Sequence, residues 1–416
     1  MYYATICKLT NVRKAPNSDN LNLANVCGAQ IIVGKEVKDG DLGIFFPSEG
    51  RLSEAFCKAN DLIGEKKYFN EKRRVKCIKL RGNVSEGVWF PLSYLSYLDP
   101  ELSALTEGLD FTEYKGQLIC EKYITPQLCK IGNNNRQKEG RVGKKHPLFK
   151  EHFDTSHLSR NLHTMKKGDL VVITTKMHGT SSRVMLAPIN NNYGWFKKTL
   201  AKLLGMQLAM WHPAILIGTR RVEIGGLNTQ YEYDNHFYRR KMAQQIANKM
   251  RMGETVYSEI VGYDHNYKPI MTPVTKKNLG KDFAHYLNFN GESMHYKYGN
   301  NYGECSQYVY RITQTDENGK CYDLTWNQVK KRCIELEIPH VPELHCMIVG
   351  DDTTEIMTKA EILAYGSDPI DFSHIREGVV VRVENEFGIN CYKHKSIHFR
   401  LLEDTVKEEV DLEDLS

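Results

Sequence analysis

One lysine in this 416-residue chain stands where its side chain could act as a nucleophile. Lys176 directly follows a run rich in β-branched residues, 170–175, and precedes the sequence His-Gly-Thr at 178–180. The run predicts a strand, and the glycine predicts a turn immediately after it. A lysine amine in this position can attack an electrophilic phosphorus atom and form a covalent intermediate. The same pattern also fits an exposed lysine at the end of a strand, so further residues must decide between the two interpretations.

Two carboxylates and two more lysines lie downstream in settings that favour a phosphate site. Glu259 lies within an apolar run that ends at a glycine, and Glu377 directly precedes another apolar run. A carboxylate buried in a strand is costly unless it binds a metal, a cation or hydroxyl groups. Lys393 and Lys395 flank a single residue, so on a strand both ammonium groups would face the same side and could contact phosphates. Each fragment alone is also compatible with a surface strand that has charged ends.

The order of these elements resembles that of the covalent nucleotidyltransferase superfamily, which contains the polynucleotide ligases and the capping enzymes. The residues at 308–312 stand where this family has motif IIIa, in which an aromatic side chain stacks on the purine, and those at 218–220 stand where motif Ia supplies an arginine. The other matches are Lys-Met-His-Gly at 176–179 with motif I, Glu-Ile-Val-Gly at 259–262 with motif III, Glu-Gly-Val-Val at 377–380 with motif IV and Lys-His-Lys at 393–395 with motif V.

Two features narrow the resemblance to RNA ligases. His178 stands where most DNA ligases and capping enzymes have aspartate, and Lys-x-His-Gly-Thr resembles a subset of RNA ligases that includes phage and viral enzymes. The DNA ligases and capping enzymes also carry an OB domain after motif V, whereas only 21 of the 416 residues follow Lys395. The β-rich residues 1–120, and the run at 80–92 in particular, instead resemble RNA ligases with an N-terminal OB domain.

The resemblance implies a role for each matched residue. Lys176 would attack the α-phosphorus of ATP and become linked to AMP, and the AMP would then activate a 5′-phosphate of RNA for joining to a 3′-hydroxyl. Lys393 and Lys395 would assist catalysis by contacting phosphates, and Glu377 would help to bind Mg²⁺, which Mn²⁺ could replace. The implied nucleotide-binding residues are Thr174, His178, Gly179, Ser181, Arg220, Glu259 (through the ribose hydroxyls), Tyr310 (by stacking on adenine) and Glu377.

The predicted fold class is α+β, with an N-terminal OB-like β-barrel followed by a ligase-type nucleotidyltransferase domain of antiparallel sheets and flanking helices. The clearest predicted helices span about 236–252 and 326–336, and Thr325 and Gln328 form a capping box at the start of the second. The predicted domains are an OB-like nucleic-acid-binding domain at 1–120, a linker at 121–155 whose polar part is 132–145, an adenylyltransferase domain at 156–400 and an acidic tail at 401–416. Strands are predicted at 2–8, 23–33, 42–47, 74–80, 88–92, 170–175, 256–261, 308–313 and 378–383.

Basic residues in the N-terminal domain are candidates for binding RNA. An OB barrel offers a basic, aromatic-bearing face for backbone contact and base stacking. Alternating basic residues are also a common way to keep the edge of a sheet soluble, so both interpretations stay open. The candidate nucleic-acid contacts are Arg74, Lys76, Lys79 and Arg81.

Composition limits the broad class of the protein. The eleven cysteines include no Cys-x-x-Cys pair, so neither a disulfide framework nor a zinc ribbon is indicated. The chain begins without a signal-peptide pattern and has no apolar run long enough to span a membrane, which predicts a cytoplasmic or otherwise intracellular protein, for example a phage or viral protein acting in a host cell. The net charge of +5 is only mildly favourable for binding nucleic acid. We expect a monomer that binds RNA with a duplex or nicked element and no membrane.

Two alternatives share the same motifs. A DNA ligase or a capping guanylyltransferase would use the same lysine chemistry on a different strand or nucleotide. An RNA-binding protein that keeps the ligase fold without activity is also compatible with the fold alone. Because the lysine and carboxylate positions are all intact, the sequence favours an active RNA ligase over a non-catalytic protein.

Overall fold

The computed structural model describes residues 2–64, 69, 72–102, 104–123, 146–153, 155–227, 237–279, 281–286 and 291–404. The chain divides into two compact units. The first unit comprises 1–140, 157–162 and 397–416, and the second comprises 141–156 and 163–396. None of the described helices is long and apolar enough to cross a membrane.

The first unit is built from short antiparallel strands. Strand β5 is central to its largest sheet, whose order is β10-β5-β1-β11, while β2-β3-β4 and β14-β6-β7 form separate three-stranded sheets. Its described strands therefore form an OB-like domain without one continuous closed sheet. The strands are β1 (Ala4–Lys8), β2 (Thr10–Lys14), β3 (Leu21–Val26), β4 (Ala29–Gly34), β5 (Leu42–Pro47), β6 (Gly50–Leu52), β7 (Arg74–Val75), β8 (Ile78–Leu80), β9 (Asn83–Ser85), β10 (Gly87–Pro91), β11 (Asp110–Phe111), β12 (Glu113–Tyr114), β13 (Gln117–Leu118) and β14 (Cys120–Lys122), with helix α1 at Glu54–Ala59.

Two predicted strands of the first unit are each divided in the structure. The run at 23–33 forms a hairpin of β3 and β4, because Cys27 and Gly28 both adopt positive φ angles (48° and 73°) that suit a two-residue turn. The run at 74–80 is interrupted between β7 and β8, where the main-chain N of Cys77 donates a 2.7 Å hydrogen bond to the carboxylate of Asp404. A backbone amide used in this way is not available to a strand partner.

The second unit contains two larger antiparallel sheets, ordered β15-β27-β26-β16-β25 and β19-β18-β17-β20-β23-β24. Its strands are β15 (Ser156–His157, at the boundary of the units), β16 (Leu170–Lys176), β17 (Thr180–Asn190), β18 (Trp211–Gly218), β19 (Glu223–Gly226), β20 (Glu254–Gly262), β21 (Val274–Thr275), β22 (Ser293–Met294), β23 (Cys305–Thr315), β24 (Cys321–Asp323), β25 (Glu343–Ile348), β26 (Gly378–Asn385) and β27 (Gly388–Lys395). Its helices are α2 (Trp195–Leu203), α3 (Phe237–Ile246), α4 (Lys276–Leu279), α5 (Trp326–Leu336) and α6 (Thr354–Ala364).

Both predicted helices of the second unit are found. Helix α5 has the predicted bounds and the predicted capping box, in which Thr325 accepts from the amide of Gln328 and Gln328 accepts from the amide of Thr325. Helix α3 is shorter than predicted, because the chain tightens into a 3₁₀ turn at Ala247–Lys249. Residue 236, where this helix was predicted to begin, lies outside the described residues.

The boundaries predicted for the linker and for the tail differ from those in the structure. The polar stretch 132–145 lies outside the described residues, but Phe149 is buried in a cluster with Met185 and Leu216, so this end of the predicted linker belongs to the second unit. The predicted tail starts too early: residues 397–404 are helical and belong to the first unit, with Asp404 buried. Residues 405–416 lie outside the described part of the chain.

Candidate active site

A cavity of about 390 Å³ lies between the two large sheets of the second unit. This size is within the range of small-molecule sites, roughly 300–1,000 Å³. One sheet contributes Thr174, Thr175, Lys176, Val380, Arg382 and Cys391 to its lining. The other contributes Thr180, Ser181, Glu259, Tyr310 and Arg311. Of the residues predicted from the sequence to bind the nucleotide or act on it, the cavity brings together Thr174, Lys176, Gly179, Ser181, Arg220, Glu259 and Tyr310.

Lys176 is the last residue of β16, and its side chain is paired with Glu377. The Nζ atom lies 2.7 Å from Oε1 of Glu377, whose side chain is only 3% exposed. Strand β26 runs antiparallel to β16 with Gly378 directly opposite Lys176, and this register brings the two residues together. Lys176 itself retains 23% of its side-chain exposure, so the amine is accessible from the cavity.

Glu377 also interacts with two other predicted site residues. The Nζ of Lys395 lies 3.5 Å from Oε1 of Glu377, and Nδ1 of His178 lies 3.7 Å from Oε2. Burial alone would raise the pKa of Glu377, but the adjacent Lys176, His178 and Lys395 outweigh it and hold this pKa well below its usual range. Glu377 is therefore an anion at neutral pH and a weak base, which suits it to binding cations rather than to removing protons.

Glu259 lines the cavity, and the shift of its pKa is opposite to that of Glu377. It lies on β20 directly opposite Ser181 of β17. Burial raises the pKa of Glu259 to about 7, and the positive charge of Lys176 only partly offsets burial and the repulsion from Glu377. Lys176 thus lies between Glu377, which stays ionised, and Glu259 in the cavity wall, which can take up a proton near neutral pH.

Gly179 fixes the turn that follows the lysine. A Cβ atom at this position would lie 2.4 Å from the carbonyl oxygen of Ile260 and 3.0 Å from Cγ of Glu259. Only glycine therefore lets the turn approach β20 this closely. The next strand, β17, then begins at Thr180 and places Ser181 in the cavity wall.

His178 belongs to the same turn and contacts two tyrosines. Its main-chain N donates a 2.6 Å hydrogen bond to the hydroxyl of Tyr298, and its ring meets the ring of Tyr296 edge to face at 4.7 Å. His178 is not among the residues that line the cavity. Its position favours a structural effect on the lysine turn over direct contact with a nucleotide.

The two lysines of β27 are placed differently from each other. Lys395 lies opposite Gly378 and next to Glu377, whereas Lys393 lies opposite Val380, one step further along the same face. Neither lines the cavity in the described residues. The structure therefore brings Lys395 to the pair of Lys176 and Glu377 and leaves Lys393 further along the strand.

The predicted Tyr310 is joined in the cavity by several residues that were not predicted from the sequence, of which Arg311 is its neighbour on β23. Tyr310 and Arg311 both line it, although neighbouring residues of a strand normally face opposite sides. The register between β20 and β23 shifts here, because Tyr257 pairs with Arg311 and Ser258 with Val309, which leaves Tyr310 as an extra residue in a β-bulge. No pattern in the sequence signals this bulge. The other unpredicted lining residues include His152, Thr155, Trp326 and Arg382.

The predicted nucleic-acid contacts of the first unit are only partly compatible with the structure. Arg74 was predicted wrongly, because its side chain is 2% exposed and pairs with Asp404. Lys79 and Arg81 are exposed around the turn between β8 and β9, and Lys76 is half-buried. Of the four predicted contacts, Lys76, Lys79 and Arg81 therefore remain candidates for binding RNA.

Comparison with known proteins agrees with this arrangement. A family model described as RNA ligase matches residues 169–397, which is more than half of the chain and contains every motif residue discussed above except those of the first unit. The chain belongs to the RNA ligase family. A model described as an OB-fold domain matches residues 3–92 of the ligase. No curated protein sequence matches it.

Solved structures of the RNA ligase from Naegleria gruberi share the fold. The structure with pyrophosphate is 18% identical, covers 94% of this ligase and 96% of its own chain, and has a TM-score of 0.59. A point mutant with AMP and Mn is 16% identical over 95% and 97% of the two chains, with a TM-score of 0.60. A second mutant with ATP and Mn is 17% identical over 98% and 99%, with a TM-score of 0.58. The predicted α+β fold, with an N-terminal OB-like domain and a ligase domain, is confirmed.

Proposed function

We propose that this RNA ligase uses ATP to join a 3′-hydroxyl and a 5′-phosphate of RNA through a lysyl-AMP intermediate on Lys176. The observation that carries the proposal is the position of the Lys176 amine, which reaches a nucleotide-sized cavity while paired at 2.7 Å with the buried Glu377. The Naegleria gruberi ligase with a similar fold has been solved with ATP and Mn, which supports the same nucleotide here.

The walls of the cavity suit adenosine. Tyr310 and Val380 line it from the two facing sheets, so a planar purine can lie between an aromatic ring and a branched aliphatic side chain. His152 packs edge-on against Tyr310 with ring centroids 5.0 Å apart and helps to fix the ring. Glu259 lies across from Ser181 on neighbouring strands, where its carboxylate can accept hydrogen bonds from ribose hydroxyls.

Positive charges surround the place where the phosphates must lie. Lys176 and Arg220 line the cavity, and Lys395 lies beside Glu377. Transfer of a phosphoryl or nucleotidyl group is promoted mainly by alignment of the reacting atoms and by neutralising charge on the non-bridging oxygens. These cations, with Lys393 further along the strand, are placed to do this.

A divalent cation fits this site when a nucleotide is present. The Oε2 atom of Glu377 accepts no hydrogen bond from the described residues, so one oxygen of a buried carboxylate is available to a cation or to its water. No group of three or more carboxylate, imidazole or thiolate ligands was found in the described part of the chain. Mg²⁺ typically binds through one or two carboxylates, substrate phosphates and water, and Glu377 with ATP would supply such a set. Mg²⁺, or Mn²⁺ in its place, would neutralise phosphate charge.

The proposed reaction has three steps. The Lys176 ammonium first loses a proton, and the neutral amine attacks the α-phosphorus of ATP, which forms a P–N bond as the bond to pyrophosphate breaks and the second proton is released. The 5′-phosphate of RNA then attacks the same phosphorus, which breaks the P–N bond and leaves AMP joined to the RNA end. Finally the 3′-hydroxyl loses its proton and attacks the activated 5′-phosphate, which forms the phosphodiester and releases AMP.

The first step can be tested by labelling. Purified ligase is incubated with Mg²⁺ and ATP labelled at the α-phosphate, and the covalent label is measured after denaturing electrophoresis. We expect label from ATP and not from GTP, none in Lys176→Ala, and unchanged labelling in Lys331→Ala, which removes an exposed lysine from α5. Labelling that survives in Lys176→Ala would refute the assignment of the nucleophile.

The choice of nucleic acid needs a separate experiment. Nicked duplexes with RNA or DNA on the 3′-hydroxyl side, together with RNA that has two unpaired ends, are compared as substrates. We expect sealing to require RNA at the 3′-hydroxyl and to be faster at a duplex nick. Equal sealing of all-DNA nicks would contradict the assignment to RNA without affecting the assignment of Lys176.

A further inference from the structure

Residues 191–211 connect the neighbouring strands β17 and β18 and are rich in lysines and large apolar residues. This segment contains helix α2 (Trp195–Leu203) and ends on the first residue of β18. The segment carries three lysines (Lys197, Lys198 and Lys202) and no acidic residue. We refer to residues 191–211 as the basic–apolar segment.

The basic–apolar segment exposes an exceptional amount of apolar surface. Trp195, Leu203 and Met210 are each 79% exposed, and Phe196 is 73% exposed. Monomeric soluble proteins rarely leave a large apolar patch in water unless it marks an interaction site. The exposed large apolar side chains are Trp195, Phe196, Leu200, Leu203, Leu204, Met206, Met210 and Trp211.

The orientation of α2 shows which way this surface faces. Ala201 is the buried residue of the helix, so its side of the helix faces the protein. At 3.6 residues per turn, Trp195, Phe196 and Leu203 lie on the opposite side. Lys202 lies at the border between these two sides, about 100° from Ala201, whereas Lys197 and Lys198 lie on the Ala201 side, within about 60° of it. All three lysines are exposed. The helix therefore presents an apolar face outwards and exposes its cationic groups on the other side and at one edge.

We propose that the basic–apolar segment binds an anionic membrane surface, with its apolar side chains inserted between lipid headgroups and its lysines contacting the lipid phosphates and carboxylates. Helices with Trp, Phe and Leu on one face and lysines on the polar face lie in the plane of the membrane interface. Clustered lysines add attraction to anionic lipids. Such binding is peripheral and reversible, and it would bring the ligase to a membrane without a spanning helix.

Other occupants fit these residues less well. A second copy of the chain would bring the same three positive charges together without a compensating carboxylate. RNA would match the lysines and the aromatic rings, but it leaves Leu203, Met206 and Met210 exposed to water. A protein groove typically accepts anchors from one stripe of a helix. Here the apolar residues continue beyond the end of α2 and around the segment, which a fluid interface accommodates.

The tryptophans of the chain provide a direct probe. Of its four tryptophans, Trp195 and Trp211 lie in the basic–apolar segment and are exposed, whereas Trp89 and Trp326 are buried. Full-length ligase is titrated with vesicles of phosphatidylcholine alone or with about one quarter phosphatidylserine, in the absence of ATP and RNA. We expect a blue shift of the fluorescence, quenching by brominated lipids and co-flotation with the phosphatidylserine vesicles only.

Two sets of variants test the two kinds of contact. Changing all three lysines, Lys197→Gln, Lys198→Gln and Lys202→Gln, is expected to weaken binding on the order of 100-fold, since each basic residue near an anionic membrane contributes about fivefold. The double variant Phe196→Ser and Leu203→Ser keeps both reporter tryptophans and is expected to weaken binding at least about tenfold. The matched control is Ile362→Ser, which removes an exposed apolar side chain from α6 and should bind like the wild type.

The outcomes separate membrane binding from RNA binding and from self-association through the same segment. Circular dichroism and thermal unfolding establish that each variant is folded, so a loss of vesicle binding reports on the segment. The proposal is refuted if wild-type ligase shows no shift with anionic vesicles, or if the double variant binds them as strongly as Ile362→Ser. It is also refuted if the triple lysine variant and the double variant bind anionic vesicles like the wild type and change only RNA affinity or self-association. None of these readouts depends on ligase activity.

Discussion

The Nζ atom of Lys176 lies 2.7 Å from Oε1 of Glu377, and this contact joins the ends of two neighbouring strands. The ion pair holds the side chain of Lys176 at the cavity, where only a neutral amine can attack phosphorus. Because the pKa of Glu377 is held well below its usual range, the carboxylate is a poor acceptor for the lysine proton. Its contribution to the proposed reaction is therefore to position the amine and to bind cations.

Replacing Glu377 with glutamine tests whether its negative charge positions the amine and binds a cation. Glu377→Gln keeps the shape of the side chain but removes its charge, and we expect formation of lysyl-AMP to fall about 100-fold as the amine loses its alignment. The rate is measured in single-turnover labelling with ATP, at several Mg²⁺ concentrations. If Glu377 also binds the cation, the loss should be smaller at high Mg²⁺.

Glu254 provides a matched control on a strand of the same cavity. It is buried at the start of β20 and pairs with Arg332 through contacts of 2.6 Å and 2.8 Å, away from the residues that line the cavity. Glu254→Gln should lower the free energy of unfolding by about 3 kcal/mol while folded protein still forms lysyl-AMP at the wild-type rate. An equal loss of rate in both variants would contradict a specific role for Glu377.

The raised pKa of Glu259 predicts a dependence of stability on pH. The pKa is about 7 in the folded chain against 4.5 for an ordinary glutamate, so the folded state binds the proton more tightly. The proton on Glu259 therefore stabilises the folded state below pH 4.5, and this contribution to the free energy of unfolding is lost as the pH rises to about 7. Glu259→Gln should therefore become more stable relative to the wild type between pH 4.5 and pH 8, by up to about 3 kcal/mol.

Denaturant unfolding at the two pH values measures this difference, with Glu317→Gln as the control because its carboxylate is exposed in a turn. The same titration should affect nucleotide binding in the opposite sense. The ionised carboxylate accepts hydrogen bonds from ribose hydroxyls more strongly than the protonated form, so ATP affinity of the wild type should fall as the pH drops below about 7. A variant that keeps the wild-type pH profile of binding would exclude Glu259 as the titrating group.

The sequence identifies the residues of this site where local patterns are strong. The β-branched run before Lys176 and the glycine after it correctly predict β16 and the following turn, and the cap at Thr325 correctly predicts the start of α5. The sequence alone does not place Lys176 opposite Gly378, because that pairing is set by the packing of distant strands. The family resemblance supplied that link, since it matched motif I with motif IV.

The predictions that failed depend on tertiary contacts. Arg74 looks like a surface residue in an alternating basic run, but a carboxylate near the other end of the chain buries it. His152 lies in a stretch whose upstream part is polar, so the sequence suggested a linker, yet its ring packs against Tyr310. The bulge that turns both Tyr310 and Arg311 into the cavity follows from strand register, which a single sequence does not specify.

The tight turn at Gly179 should tolerate no side chain. In Gly179→Ala the added Cβ would meet the carbonyl oxygen of Ile260 at 2.4 Å, so the turn must move away from β20 and carry Lys176 with it. We expect lysyl-AMP formation to fall about 100-fold, since a displacement of about 1 Å has this effect on aligned groups. Gly350→Ala is the control, because nothing lies within 4 Å of its added Cβ. Wild-type labelling in Gly179→Ala would show that this close approach is not required.

The buried pair of Arg74 and Asp404 should stabilise the first unit. Both side chains are almost completely buried, and Asp404 also accepts a 2.7 Å hydrogen bond from the main-chain N of Cys77. Asp404→Ala leaves a buried guanidinium without its carboxylate, which should lower the free energy of unfolding by about 3–5 kcal/mol. Asp19→Ala, which breaks an exposed pair with Lys14, should cost less than about 1 kcal/mol.

A double variant distinguishes loss of the ion pair from loss of packing at the same place. Replacing both charges by apolar residues, in Arg74→Met with Asp404→Leu, removes the unpaired charge and should recover much of the stability lost in Asp404→Ala. Hydrogen exchange of the amides in β6 and β7 reports the effect within the first unit, and thermal unfolding reports it for the whole chain. If Asp404→Ala leaves both measurements unchanged, residues 397–404 contribute little to this unit, and the acidic tail begins where the sequence predicted it.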